Sequence, residues 1–318
     1  TASTYMQNLW LRDEKYSLIW QENVDLLEKL RKNVKSDNLN QEINFNFDLI
    51  ANNKDNKIIL SHEGFSTAFM NNISHQNKIP QFIDYTSNIL GELSKHTQNL
   101  LIVVREPISW IRSMYIQSIK QGWSGWAQDY IYDQLELLKH SLDLENIYES
   151  YRRYFDNILI VPFEILKDDE DYFWEIVSEN FNIPSITKRM DKIHQSLDLK
   201  KVFILSKLNQ ISGVLLNTLA TSKQYNNRNE KNRLINLHSE YGKWVHRRFV
   251  EYAGEKELNQ IYQLFNNPRI PKEFMEFSIP KSLLEKIKLN YISFLEDKIE
   301  QKYINYYKTE LNKFMSKE

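Results

Sequence analysis

Three places in the sequence gather ionisable side chains directly after short apolar runs. Lys57–Leu60 (KIIL) leads into Ser61-His62-Glu63, Leu100–Val104 (LLIVV) into Arg105-Glu106-Pro107, and Ile158–Val161 (ILIV) into Pro162-Phe163-Glu164. Continuous Ile/Leu/Val runs of this length suit strands covered on both faces, as in a parallel sheet. In open parallel sheets, ligands bind beyond the carboxyl ends of the strands. Arg105 at such an end is a fixed cation that must be neutralised. Pro107 suits the first turn of a following helix, and Ser113 falls two turns into it. A guanidinium fork, a hydroxyl and a helix N-terminus together suit a phosphate-sized anion. An ion pair between Arg105 and Glu106, with Ser113 facing solvent, fits the same spacing equally well.

The residues after the first run offer proton chemistry. His62 has an imidazole whose ordinary pKa lies near working pH, which suits a general base. Glu63 beside it would need desolvation to reach that range. Consecutive residues after a strand point apart, so one of the two is expected to face an acceptor. A loop histidine bonded to Glu63 or to backbone is the bland alternative.

The elements that must position these residues follow from pattern. Helical periodicity marks Asp84–His96, Ile108–Gln121 and Trp126–Tyr154 between the apolar runs. Alternating strands and helices predict an α/β fold with a doubly wound parallel sheet. Beyond Pro162 the pattern is helical throughout: Asp169–Asn180, Leu199–Ala220, Ser239–Ala253, Glu255–Asn266 and Pro280–Lys317. The expected division is therefore an α/β core over residues 1–197 and a helical C-terminal extension over 198–318 packed on it. The final helix reads as an amphipathic packing or homodimer surface.

Composition bounds the function classes. The chain has 318 residues and a net charge of −1, so a general nucleic-acid surface is not expected. It contains no Cys, which excludes disulfides, thiolate metal sites and Cys nucleophiles. The remaining histidines lack zinc-ligand spacing, and no metal is expected. With no apolar run of membrane-spanning length and no visible signal peptide, a cytoplasmic location is the expectation.

The opening stretch, Thr1-Ala2-Ser3-Thr4-Tyr5-Met6-Gln7-Asn8-Leu9-Trp10, places small and hydroxyl residues ahead of a helix pattern. That suits a backbone phosphate cradle, and equally a simple N-cap. Together with VVREPISWIRSMYIQSIKQG, ILIVPFEILKDDEDYFWEIVSENFNIP and His194-Gln195-Ser196-Leu197, it resembles the sulfotransferases that use 3′-phosphoadenosine-5′-phosphosulfate, in their bacterial form. TASTYMQNLW looks like the second half of the family's phosphosulfate loop. The Arg–Ser pair eight apart, with an aromatic two beyond, looks like its 3′-phosphate motif. The resemblance covers about residues 1–197 with gaps.

The resemblance implies a P-loop-like fold and sulfuryl transfer to an acceptor hydroxyl, a glycan hydroxyl by family analogy. It further implies that Arg105 and Ser113 hold the 3′-phosphate, and it favours His62 as the base, since Ser61-His62-Glu63 is similar to the polar triplet of the family's His-using branch, with Glu63 close behind. The backbone of Thr1, Ala2, Ser3 and Thr4, with the hydroxyls of Ser3 and Thr4, would cradle the phosphosulfate. The family's catalytic Lys would fall immediately before Thr1, outside this sequence, together with its first strand. Where bacterial relatives carry a second Arg, this chain has Trp110, and Arg112 reads as a helix-surface residue. Gly122–Trp126 (GWSGW) reads either as an aromatic wall for a ring-shaped acceptor or as core. Tyr225–Arg233 reads as a basic loop near the nucleotide or as a solvated loop. A nucleotide-dependent small-molecule kinase, and a non-catalytic nucleotide-binding protein on the same scaffold, are the alternative readings.

Overall fold

The computed structural model describes residues 2–40, 43, 57–62, 64–67, 73–186, 197–221, 232–233, 243–265 and 269–316. By packing, the chain divides into two units. The first is Thr1–Ile108, Gln134–His194 and Ile279–Glu318; the second is Ser109–Asp133 and Gln195–Ser278. The division therefore does not run at a single point near residue 197. The chain from Ile279 onward belongs with the first unit, because its tyrosines bond to groups there.

Among the described residues the first unit carries four strands: β1 (Tyr16–Leu18), β2 (Lys57–Ile59), β3 (Asn99–Val104) and β4 (Asn157–Pro162). The three apolar runs are β2, β3 and β4. β1 was not among the expected strands, since three residues without an apolar run leave no periodic signal. β1 pairs with β2 and β3 with β4, both parallel, giving two two-stranded sheets. Alternate residues of both pairs enter the same two layers. Ile59, Leu101, Val103 and Leu159 pack on a cluster built around Met6, Leu9, Trp10, Phe173 and Trp174. Leu60, Leu100 and Ile158 pack on the opposite cluster, built around Leu26, Leu30, Ile79, Phe82 and Tyr151. The architecture is thus mostly helical with small parallel sheets, compatible with an α/β class.

Helix Ala2–Arg12 covers the first layer with Met6, Leu9 and Trp10. Trp10 meets Trp174 edge to face at 5.8 Å, the geometry that ring quadrupoles favour. Tyr16 opens β1 and donates its hydroxyl to the Pro184 carbonyl; burial, with the Asp13 charge, pushes its phenol up to about 12. On the other face, helices Trp20–Lys35 and Ile79–Gly91 supply the apolar stripe.

The helical stretch expected over Trp126–Tyr154 is three helices, Ala127–Asp133, Leu135–Ser141 and Leu144–Arg152. Long-range polar contacts break it. Buried Gln134 accepts from Gln76 at 3.0 Å, and Asp143 pairs with Lys286 at 2.5 Å. The final expected helix is likewise interrupted. It runs as Lys281–Lys286, a π-helical turn at Ile287–Ile292, a short Ser293–Leu295 piece and Gln301–Met315.

The second unit is helical among its described residues. Tyr115 lies against Tyr130 at 5.8 Å and Phe274 at 6.1 Å, and Phe203 meets Phe274 edge to face at 5.1 Å. The Gly122–Trp126 turn is held from the helix Leu199–Thr221. Asn209 donates to the Ile119 and Trp123 carbonyls, and Ser206 to that of Ser124. Trp123 packs in this unit against Tyr130, whereas Trp126 is exposed. No helix among the described residues is long and apolar enough to cross a membrane.

Gly91 tests the packing of the first unit. A Cβ there would lie 2.5 Å from the Tyr154 ring, which is itself tied to Asn88 by its hydroxyl. Gly91→Ala should therefore destabilise the fold by about 1–3 kcal/mol in urea unfolding, the usual cost of overpacking. Unchanged stability would show that the ring is free to give way.

Candidate functional site

The β3–β4 register ends with Val104 opposite Pro162, so Arg105 and Phe163 leave the sheet side by side. The Arg105 guanidinium lies over the Phe163 ring at 5.2 Å, a cation–π contact. The next backbone groups are satisfied by side chains from elsewhere in the unit. Arg105 N–H donates to the Tyr291 hydroxyl at 3.0 Å, and that hydroxyl donates to the Arg105 carbonyl at 2.7 Å. Glu106 N–H donates to Glu164 Oε1 at 3.0 Å. The second oxygen of Glu164 accepts the Tyr307 hydroxyl at 2.8 Å. Glu106 in turn accepts the Ile108 N–H at 2.8 Å, capping the helix Pro107–Lys120 across its proline first turn.

Glu106, Glu164, Tyr291 and Tyr307 are all buried. Burial pushes both phenols well above their ordinary pKa, with the Glu164 charge adding in the same direction. Both hydroxyls thus keep their protons and remain donors. The chain has turned a strand end into a rigid platform, with the half-buried Arg105 side chain as its cationic feature. Sequence reasoning missed Tyr291 and Tyr307. Nothing local to Arg105 announces a partner so far along the chain.

At the end of β2, Ser61 is gripped by the first helix. Buried Gln7 donates to the Ser61 carbonyl at 3.1 Å and to its hydroxyl at 3.3 Å, and Asn23 adds a contact at 3.4 Å. Ala2 and Ser3 lie in the opening turn of that helix, and Thr4 is half-buried with its carbonyl accepting from Asn8. First-turn N–H groups have no partner within their own helix. Thr1 lies outside the described residues.

His62 is half-buried, edge to face with Phe65 at 5.9 Å. Its Nδ1 accepts the Gly64 N–H at 2.9 Å. A neutral imidazole in that arrangement carries its proton on Nε2 and is a donor there. Burial, then the nearby Arg31 charge, holds its pKa below the ordinary value. Gly64 has no room for a side chain: a Cβ would sit 2.5 Å from Leu27 Cδ2 and 3.0 Å from His62 Nδ1. Glu63 lies outside the described residues, as do His194–Ser196 and residues 225–231.

Ser113 is half-buried on the helix Pro107–Lys120, in the stretch that belongs to the second unit. Arg112 is exposed, with its guanidinium 5.9 Å from the Phe277 ring, in keeping with a surface role. Among the described residues no group of three His, Asp or Glu side chains could hold a metal ion. Compared with known protein families, curated proteins and solved structures, the chain matches none.

The lowered pKa of His62 is also a stability statement. The unfolded chain takes up a proton near the ordinary imidazole value of about 6.5, where the folded chain does not. Stability from this group is therefore present above about pH 6.5 and is lost as pH falls through the lowered folded value. Half-buried His140 acts with the same sign. Urea midpoints should hold steady above pH 7 and decline below about 6.5, and His62→Gln should reduce the slope without removing it. An unaltered slope in that variant would show that His62 titrates normally.

Proposed function

We propose that this chain is a sulfotransferase that moves a sulfuryl group from 3′-phosphoadenosine-5′-phosphosulfate to an acceptor hydroxyl. The observation that carries the reading is Arg105: a cation at the carboxyl end of a parallel strand, stacked on Phe163, with its own backbone locked on both sides. A preorganised guanidinium fork at a strand end suits a phosphate monoester such as the donor's 3′-phosphate. Ser113 is the companion that the sequence resemblance suggests, but the reading stands on Arg105.

In this reading the two parallel pairs belong to one doubly wound, P-loop-like sheet, since both feed alternate residues into the same two layers. The opening turn of helix Ala2–Arg12, tied by Gln7 to the end of β2, offers N–H groups to the phosphosulfate.

The transfer is an in-line displacement. The acceptor oxygen forms a bond to sulfur while the sulfur–oxygen bond to the 5′-phosphate breaks. The leaving 3′-phosphoadenosine-5′-phosphate takes the electron pair, and the acceptor's proton passes to a base. Because His62 Nδ1 is engaged by Gly64, the neutral ring is a donor at Nε2. We therefore assign the base to Glu63 and give His62 a hydrogen-bonding role beside it.

Calorimetric titration with 3′-phosphoadenosine-5′-phosphate tests the donor assignment. Arg105→Ala should weaken binding about a hundredfold with an intact circular dichroism spectrum, the scale expected for losing charge-assisted hydrogen bonds. Wild-type affinity in that variant would remove the assignment. In sulfuryl-transfer assays, Glu63→Gln should lower turnover by about a hundredfold or more, the range of a lost general base. His62→Gln, which keeps an amide donor, should retain most of the rate. Near-native turnover in Glu63→Gln would mean that the base lies elsewhere.

A further inference from the structure

We propose that Tyr291 is a positioning residue for the anion grip of Arg105, delivered by the π-helical turn at Ile287–Ile292; this rests on the reading of Arg105 as the 3′-phosphate residue. One hydroxyl serves both polar groups of a single backbone unit, accepting from Arg105 N–H at 3.0 Å and donating to its carbonyl at 2.7 Å. Arg105 stands one residue past the last register pair of β3, Val104 with Pro162. The tyrosine hydroxyl there does the work of a neighbouring strand. Turns of this kind are commonly closed by a local Asn, Asp or Ser side chain. Here the closing group comes from 186 positions away and is almost wholly buried.

The helix that carries it is built around that delivery. Leu283, Ile287, Tyr291 and Leu295 are buried at intervals of four. In an α-helix of 3.6 residues per turn, a four-residue interval drifts by about 40° at each step. The wider turn takes up that drift and keeps all four on one face. With the Arg105 backbone held by Tyr291 and its guanidinium lying over the Phe163 ring, the side chain meets a phosphate from a fixed origin. Without the hydroxyl, two backbone groups beside buried Val104 and Glu106 lose their partner, and the origin of the side chain shifts.

The test compares two ligands on the intact chain by calorimetry: 3′-phosphoadenosine-5′-phosphate, and adenosine 5′-monophosphate, which lacks the 3′-phosphate. Tyr291→Phe should weaken the first about tenfold, the worth of one to two hydrogen bonds, and leave the second unchanged. A general structural role would lower both together; that result, or no change in either, overturns the proposal. Arg105→Ala on the same pair of ligands keeps the two ideas apart. If it binds both as the wild type does, the reading of Arg105 fails whatever Tyr291 does. Should Tyr291→Phe prove too unstable, the titrations are repeated in trimethylamine N-oxide, which strengthens folding. Amide exchange in the wild-type chain supplies a second measurement: the Arg105 N–H should exchange slowly, and exchange at the unfolded rate would overturn the proposal.

Discussion

Where a parallel strand runs out inside a folded unit, its last backbone groups are too buried for water and too far along for the ladder. Every one left unpaired costs free energy comparable to a lost hydrogen bond. In the first unit, that constraint falls on the two residues after β3. Tyr291 takes both polar groups of Arg105, Glu164 takes the Glu106 amide, and Tyr307 holds Glu164. The Glu106 side chain caps the helix that follows. The strand end, the helix start and the C-terminal helices are joined by this one network. The buried Glu164 carboxylate is tolerated because hydrogen bonds from Tyr307 and the Glu106 amide meet it.

The same network explains which parts of the fold were legible in sequence. β2, β3 and β4 announce themselves as continuous Ile/Leu/Val runs, because residues covered on both faces have no polar alternation to show. β1 is Tyr-Ser-Leu, too short to carry a period, and exists because β2 lies alongside it. Helices were legible by period but not by extent. Nothing in the local pattern of Trp126–Tyr154 marks breaks at Gln134 and Asp143, whose partners Gln76 and Lys286 are remote. The assignment of the last helices to the first unit was equally illegible, since it depends on hydroxyls meeting a strand end that the pattern cannot reach.

For the candidate site, the residue types were readable and their surroundings were not. Arg105 at a strand tip followed by Pro107 gave both the turn and the cation. That the Glu106 carboxylate also accepts the Ile108 amide, and so caps the next helix, was not readable from the spacing. At the end of β2 the sequence offered His62 and Glu63 as rivals, and the preference for His62 rested on the family resemblance. The Gly64 amide on Nδ1 decides which imidazole nitrogen keeps the proton, and so changes what His62 can do. That information lies in a single backbone conformation, which Gly64 permits by carrying no side chain.

The span between Arg105 and Tyr291 also bears on how the molecule comes to life. Contacts between residues so distant in sequence form late, because the intervening loop must close before they reward it. During synthesis, β3 and β4 are made long before the segment that completes the turn at their ends. A nascent chain would therefore hold an assembled parallel pair with its cationic tip still unbraced. Ordered strands and a braced turn at Arg105 would arrive at different moments on the ribosome.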